Sequence, residues 1–415
     1  MFLSDGLTEE FPVTYGRLDA EARAVAAALL ARGARGQRVL LAFPDGGEYV
    51  AAFFGCLYAG AIAVPVYPPS LTRPDPRFQV IVDDAAPVVV LTSAAFLAQV
   101  QRRFASLPEL ARIEWLATDG LPVPPAQFEL PTPLPADVAF LQYTSGSTAA
   151  PKGVMVTHGN LVANVRLLKE MFAMSAESSV VSWLPMYHDM GLVGTIILPV
   201  YVGAPCYKMS PAAFLQRPMR WLQAITRYRG RITAGPNFAY DLCVSKATPE
   251  VLAELDLSGW QVAVTGAEPV RAETMERFTR TFAPCGFKEA TFHPSYGLAE
   301  ATLIVSGKRG AVLPGTLAVD RAVLVSCGRP APETTVRIID AEDHTVCEPG
   351  RVGEVWVSGP AVAAGYWQRT EETARTFGNV LDGQRYLRTG DLGFIHEGEL
   401  YITGRLKDLM IIRGQ

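Results

Sequence analysis

Short apolar segments alternate with amphipathic segments from the amino end of the chain to residue 305. The apolar segments are rich in Val, Leu, Ile and Ala, which is typical of strands buried on both faces of a parallel sheet. The predicted strands are residues 39–43, 61–66, 88–92, 138–143, 232–234 and 262–265, and the predicted helices are residues 19–31, 77–85, 160–171, 218–228 and 272–282. Strands that alternate with helices form parallel sheets covered by helices. We therefore predict an α/β fold with two doubly wound, mostly parallel sheets.

The pattern changes after residue 305, where short apolar segments are separated by Gly/Pro turns. The strands predicted there are residues 323–326, 335–340, 353–358 and 400–403. This pattern favours a small β-rich, barrel-like subdomain. We divide the chain into two interleaved α/β subdomains at residues 1–305, the β-rich subdomain at 306–404, and a hinge segment at 405–415. The apolar residues 409–412 have no obvious partner, so we expect a further carboxyl-terminal domain to be missing.

Residues 49–72 contain no charged side chain and are numerous enough to span a bilayer. However, Gly60 interrupts the segment, and Pro65, Pro68 and Pro69 lie near its end. We predict a buried helix at residues 48–59, a helix stop at Gly60 and a buried strand after it. No membrane span is expected.

Composition excludes several classes of protein. The net charge is −4 and the chain has no basic tract, so nucleic-acid binding is not expected. The six cysteines are scattered without a C-x-x-C pair, which argues against a zinc site or a disulfide framework and for a reducing compartment. The amino terminus has no signal-peptide pattern. We expect a cytoplasmic protein.

The segment at residues 143–153, which follows a predicted strand, has the most informative chemistry. It concentrates hydroxyl side chains and glycine before a lysine, in the residues Thr144, Ser145, Gly146, Ser147, Thr148 and Lys152. Backbone N–H groups and hydroxyls of such a loop can bind phosphate oxygens, and the lysine adds a positive charge. A polar surface linker is the alternative, since the spacing differs from the common P-loop pattern.

Two more polar segments follow predicted strands: residues 266–269 (GAEP) and residues 293–297 (HPSYG). In open α/β sheets, ligands bind beyond the carboxyl ends of the strands. We expect both segments to face the same crevice as the residue 143–153 loop.

Four further segments combine with the residue 143–153 loop into a family pattern. They are WLPMYHDMGL at residues 183–192, HPSYGLAE at 293–300, RTGDLG at 388–393 and GRLKD at 404–408. In order and spacing the five segments resemble the adenylate-forming enzymes. The segments AVPVYPP at 63–69, MYHDMG at 186–191, PSYGLAEAT at 294–302 and VSCGRP at 325–330 resemble the fatty acyl-AMP ligases in particular.

That resemblance implies an enzyme that uses ATP and Mg²⁺ to convert a fatty acid to an acyl-adenylate. The acyl group would pass to an acyl carrier protein domain, and the chain would be a monomer or part of a larger synthase. The implied nucleotide-binding residues are Thr144, Ser145, Gly146, Ser147, Thr148, Lys152, Gly266, Ala267, Glu268, Ser295, Tyr296, Gly297, Asp391 and Arg405. Glu300 and Thr148 would hold Mg²⁺, and the implied catalytic residues are Lys152, His188, Glu300 and Arg405.

The resemblance also implies a place for the acyl chain. His188 would line the passage between nucleotide and acyl chain, and Met190, Gly194 and Phe238 would line the acyl pocket. Lys407 takes the hinge position. Taken singly, these residues also have plain structural interpretations, such as a surface lysine, a core aromatic residue or a turn aspartate.

Two other functions stay open. Residues 305–324 look short for an insertion that distinguishes acyl-AMP ligases from acyl-CoA synthetases, which keeps an acyl-CoA synthetase as an alternative. A non-catalytic adenylate-binding module that recognises a partner protein is the second, because the lysine that the family carries in its carboxyl-terminal domain would lie beyond Gln415.

Overall fold

The computed structural model describes residues 1–8, 10–44, 46–125, 127–144, 151–319 and 322–408. The strands of these residues are β1 (Phe2–Leu3), β2 (Glu10–Phe11), β3 (Arg38–Ala42), β4 (Ile62–Val66), β5 (Val89–Thr92), β6 (Trp115–Ala117), β7 (Val138–Tyr143), β8 (Gly153–Thr157), β9 (Val180–Ser182), β10 (Cys206–Met209), β11 (Ile232–Ala234), β12 (Val262–Thr265), β13 (Phe292–Gly297), β14 (Ile304–Gly307), β15 (Thr316–Val319), β16 (Ala322–Val325), β17 (Arg329–Pro330), β18 (Thr335–Ile339), β19 (Gly353–Ser358), β20 (Asn379–Leu381), β21 (Gln384–His396) and β22 (Glu399–Arg405). The α-helices are α1 (Tyr15–Leu30), α2 (Gly47–Ala59), α3 (Pro76–Ala85), α4 (Ala94–Gln101), α5 (His158–Met171), α6 (Asp189–Leu192), α7 (Leu198–Val202), α8 (Pro211–Gln216), α9 (Met219–Arg227), α10 (Asn237–Ser245), α11 (Pro249–Ala253), α12 (Ala272–Phe282) and α13 (Thr370–Phe377).

The first large sheet has six strands in the order β6-β5-β3-β4-β7-β8. All neighbours pair in parallel except β7 and β8, which are antiparallel. Strands β4 and β5 are buried along their whole length, as their continuous apolar sequences predicted.

The second large sheet has nine strands in the order β17-β14-β13-β12-β11-β9-β10-β1-β2. Its central strands, from β13 to β1, pair in parallel. The outer strands β14, β17 and β2 pair antiparallel to their neighbours. The prediction of two mostly parallel sheets covered by helices is confirmed.

The β-rich part is a curled antiparallel sheet. Strands β18, β19, β21 and β20 lie in that order, and β22 pairs with β21. The long strand β21 pairs with three neighbours, and the register shifts in two of those pairings let it bend. The predicted β-rich, barrel-like unit is thereby confirmed as part of the fold.

The boundary proposed between residues 305 and 306 falls inside β14. Both β14 and β17 belong to the nine-stranded sheet. We propose that the β-rich unit instead begins after Pro330.

Local signals explain where several helices begin and end. The side chain of Asp75 accepts a hydrogen bond from the Phe78 backbone at the start of α3, and Thr157 and Asn160 form a capping box at the start of α5. Helix α2 ends at Gly60, which has a left-handed φ of 63°. The apolar segment at residues 49–72 is therefore a buried helix, a glycine stop and strand β4. Among the described residues, no helix combines the length and apolar character needed to cross a membrane.

Candidate functional site

A cavity of about 690 Å³ lies where the carboxyl ends of β7, β11, β12 and β13 meet β21 and β22. It brings together fourteen of the residues singled out from the sequence, namely Thr144, Lys152, His188, Met190, Gly194, Gly266, Ala267, Ser295, Tyr296, Gly297, Glu300, Asp391, Arg405 and Lys407. Ser145, Gly146, Ser147 and Thr148 lie outside the described residues. The cavity therefore gathers segments that are far apart in the sequence, as the strand-end argument expected.

Tyr296 and Asp391 form a buried polar pair on the cavity wall. The Tyr296 hydroxyl donates to Oδ2 of Asp391 at 2.6 Å, and Arg405 Nε lies 3.0 Å from the other carboxylate oxygen. Burial raises the pKa of the Asp391 carboxyl, while the hydrogen bond from Tyr296 and the charge of Arg405 act in the opposite direction. Burial also raises the pKa of Tyr296, so its hydroxyl stays a donor.

The backbone beside Tyr296 comes unusually close to a neighbouring strand. A Cβ atom at Gly266 would lie 2.7 Å from the carbonyl oxygen of Ser295, and one at Gly297 would collide with the carbonyl of Leu303. Ala267 adopts a positive φ of 67°, which is uncommon for a residue other than glycine. At positions 266 and 297, only glycine fits without movement of the backbone.

Lys152 reaches the cavity from β8's amino end and is already paired. Its ammonium lies 2.7 Å from Glu372 Oε2 and 5.0 Å from the ring centre of Tyr366. The hydroxyl of Tyr366 in turn donates to Oε1 of Glu300 at 2.9 Å. Tyr366 therefore connects the cavity's lysine to its glutamate.

Glu300 is the carboxylate best placed to hold a divalent cation. Burial raises its pKa, and the negative charges of Asp189 and Asp391 act in the same direction. No cluster of three or more His, Cys, Asp or Glu residues suited to a metal occurs among the described residues. One carboxylate together with phosphate oxygens is the ligand set that Mg²⁺ commonly uses, and Glu300 fits that role.

His188 lies on the cavity wall at the end of a turn, directly before α6. Its Nδ1 lies 3.4 Å from Asp189 Oδ1, and this contact raises the pKa of His188. After the turn, α6 continues through a π-helical turn at Val193–Ile197 into α7. Such π turns often occur at functional sites.

The other arm of the cavity is apolar. Besides Met190 and Gly194, its wall includes Leu168, Phe172, Val180, Ile232, Val264, Leu303 and Ile304. These side chains come from α5, four strands of the nine-stranded sheet and the segment after Glu300. The cavity wall thus combines charged and apolar side chains, and His188 is one of its lining residues.

Two residues implied by the sequence do not lie on the cavity wall. Phe238 lies on α10, is 44% exposed, and packs edge-on against Trp183 at 5.8 Å. Phe172, in contrast, does line the cavity. Glu268 also lies outside the lining, and its buried Oε1 has no hydrogen-bond partner within the described part of the chain.

The sequence analysis missed Tyr366, Glu372, Phe172 and Gln142. Tyr366 and Glu372 belong to the β-rich half: Tyr366 lines the cavity and contacts Glu300, and Glu372 pairs with Lys152. The motif at residues 183–192 gave no sign that Gln142 would lie against it. The one available signal was the position of Gln142, directly before the residue 143–153 loop.

Comparisons with known proteins place this geometry in context. The model of the AMP-binding enzyme family matches residues 3–367. The chain is similar to a medium-chain-fatty-acid–acyl-carrier-protein ligase of Moorena producens, with 45% identity over 100% of this chain and 75% of that protein. It is also similar to a long-chain-fatty-acid–AMP ligase of Mycobacterium tuberculosis, with 37% identity over 99% of this chain and 75% of that protein. Among solved structures, a fatty acyl-adenylate ligase from L. pneumophila, in complex with acyl adenylate and pyrophosphate, has 44% identity and a TM-score of 0.92 over 98% of this chain and 74% of that one.

Proposed function

Because this chain belongs to the AMP-binding enzyme family, we propose that it activates a fatty acid with ATP for transfer to an acyl carrier protein. The activation forms an acyl-adenylate and releases pyrophosphate. The observation that carries the proposal is that one cavity is lined both by charged side chains, such as Lys152 and Glu300, and by apolar ones, such as Phe172 and Leu303. The names of the relatives in Moorena producens and Mycobacterium tuberculosis support it.

The chemistry asks little proton transfer of the protein. A carboxylate oxygen attacks the α-phosphorus of ATP, the new P–O bond forms, and the bond to pyrophosphate breaks. The carboxylate has no proton to lose near neutral pH, so a general base is not needed. The side chains must instead neutralise negative charge and hold the reactants in line.

The charged end supplies those functions. Lys152 would lie against the leaving phosphates, and Arg405 would contact the ribose or a phosphate. Tyr296 and the close backbone at Gly266 would form the two walls of a slot for the adenine ring, with Asp391 accepting from the ribose hydroxyls. Glu300 would hold Mg²⁺, which when bound neutralises phosphate charge.

The apolar arm fits an alkyl chain. Apolar lining residues such as Phe172, Leu303 and Ile304 could contact the alkyl chain, and Gly194 adds no side chain beside Leu303. His188, at the junction, would separate the acyl chain from the nucleotide. We assign it a positional role, since the attacking carboxylate needs no base.

The test uses the 415-residue chain with ATP, Mg²⁺, hydroxylamine and a series of fatty acids. Formation of acyl hydroxamate, lost in Lys152→Ala but kept in the exposed control Lys169→Ala, would support adenylation. Addition of a holo acyl carrier protein or of coenzyme A then identifies the acceptor. Efficient acyl-CoA formation without acyl-carrier formation would replace the proposal with an acyl-CoA synthetase.

A binding measurement accompanies the turnover assay. Calorimetric titration with a stable acyl sulfamoyl-adenosine reports on the cavity directly. Absence of both hydroxamate formation and analogue binding would contradict the proposed function.

A further inference from the structure

Gln142 is a buried polar residue at the carboxyl end of β7 that the proposed reaction does not use. It is 5% exposed and lies on the cavity wall. Its Nε2 donates to the backbone carbonyl of Tyr187 at 3.0 Å. Its Oε1 is buried and has no hydrogen-bond partner within the described part of the chain.

The Tyr187 carbonyl fixes which way round the amide lies. A carbonyl oxygen can only accept, so the amide nitrogen of Gln142 must face it. The unpaired atom is therefore an acceptor. A buried acceptor without a partner is unfavourable, and such atoms in a cavity wall are commonly satisfied by a bound ligand or water.

The contact at Tyr187 belongs to a set that tethers the turn before His188. The Tyr49 hydroxyl donates to the carbonyl of Met186 at 2.8 Å, one residue before Tyr187. The Tyr49 tether is buried and the Gln142 tether is half-buried, and both come from the half of the chain that holds the six-stranded sheet. Gln142 differs from Tyr49 because only Gln142 also lines the cavity.

We propose that Gln142 is a positioning residue that holds the Tyr187–His188 turn through Nε2 and accepts a hydrogen bond from the bound nucleotide complex through Oε1. The proposal rests on the proposed function. Phosphate oxygens are acceptors and cannot fill this role. The donors of the complex are the adenine amino group, the ribose hydroxyls and water molecules bound to Mg²⁺.

This arrangement links ligand binding to the His188 turn. A ligand that donates to Oε1 orders the amide, and the ordered amide keeps Nε2 on the Tyr187 carbonyl. The junction of the cavity is then held in place while the ligand is bound. Loss of Gln142 should weaken ligand binding as well as loosen the turn.

Two substitutions test the proposal. Gln142→Met keeps the length of the side chain and removes both hydrogen bonds. Gln142→Glu keeps the shape, but an ionised carboxylate repels the Tyr187 carbonyl, whereas a protonated one can donate to it and still accept from the ligand. Burial raises the pKa of such a carboxyl, so protonation should occur within an accessible pH range.

The readout is the dissociation constant of ATP with Mg²⁺ and of dodecanoyl sulfamoyl-adenosine without metal, from about pH 8 to about pH 5.5. For at least one of the two probes, we expect Gln142→Met to weaken binding about tenfold at every pH, as for the loss of one hydrogen bond. For that probe, we expect Gln142→Glu to be equally weak at high pH and to approach the wild-type constant as the pH falls. Tyr49→Phe is the matched control, because it removes the neighbouring tether and does not touch the cavity.

The two probes distinguish the donors. An effect on the sulfamoyl-adenosine assigns the donor to the adenosine part of the ligand, and an effect on ATP with Mg²⁺ alone assigns it to metal-bound water. If the role of Gln142 is purely structural, Gln142→Met will lower the melting temperature and leave both dissociation constants unchanged, and that result would overturn the proposal. Absence of recovered binding in Gln142→Glu at low pH would also overturn it. If the wild-type chain binds neither probe, the proposed function itself fails.

Discussion

The sharpest test of the nucleotide end is Asp391→Asn. Asp391 is 6% exposed, and its two carboxylate oxygens accept from Tyr296 at 2.6 Å and from Arg405 at 3.0 Å. Asparagine has nearly the same shape but presents one acceptor and one amide group. It can therefore keep one of these contacts and must turn a donor towards the other, or towards one of the two ribose hydroxyls in the complex.

The expected magnitude follows from that loss. One hydrogen bond to a charged acceptor contributes about 1.5–3 kcal/mol, so AMP should bind roughly tenfold to a hundredfold more weakly. Stability should change much less. The side chain of Arg405 is 55% exposed, so its ion pair contributes only about 0–1 kcal/mol. A neutral amide also avoids the free-energy cost of burying a charged carboxylate, which is the effect that raises the pKa of Asp391.

Calorimetric titration of AMP into both proteins measures the effect, with melting temperatures measured in parallel. Asp343→Asn serves as the matched control, since Asp343 is an exposed aspartate in a turn of the β-rich unit. An AMP affinity within about twofold of the wild type, with an intact fold, would refute the placement of the ribose at Asp391.

Three other changes test other parts of the cavity. Tyr366→Phe removes a hydrogen bond that lowers the pKa of Glu300, a pKa that burial already raises. As the pH decreases, the variant should therefore lose binding of ATP with Mg²⁺ at a higher pH than the wild type does, and titrations at several pH values measure this. Gly266→Ala places a Cβ 2.7 Å from a backbone carbonyl and should weaken AMP binding, whereas Gly259→Ala, at a site with open space, should not. Gly194→Leu should shorten the longest fatty acid converted to hydroxamate without changing ATP affinity, because it adds volume only to the apolar arm.

Elements whose apolar residues are contiguous were the most predictable. Strands β7, β11 and β12 and helix α12 begin and end at the predicted residues, because burial and amphipathicity decide their extent locally. The edge strands β1 and β2 were not predicted. Each is two residues long: β1 pairs with β10, which lies far away in the sequence, and β2 pairs with β1. No local pattern could reveal that pairing.

The site divides in the same way. Motif residues such as Tyr296 and Asp391 could be named from the sequence, but their mutual hydrogen bond depends on how the β-rich sheet packs against β13. Tyr366 shows the limit more clearly. It follows Gly365 in a segment without any polar motif, and its contact with Glu300 arises from packing between residues that are 66 positions apart. Phe238 was suggested by position, and the direction of α10 places it elsewhere.

The ion pairs of the cavity suggest how it accommodates a highly charged ligand. Lys152 is paired with Glu372, and Arg405 is paired with Asp391. The cation of each pair is partly exposed: the side chain of Lys152 is 31% exposed and that of Arg405 is 55% exposed. Breaking either ion pair therefore costs only about 0–1 kcal/mol. A nucleotide can then exchange these carboxylates for its own phosphate and ribose groups without leaving a cation unpaired. The carboxylates released by that exchange are left with excess negative charge in a site where burial already raises the pKa of Glu300 and Asp391. A divalent cation entering with the nucleotide would compensate for this charge, which would be a physical reason for a metal that is independent of its role on the phosphates.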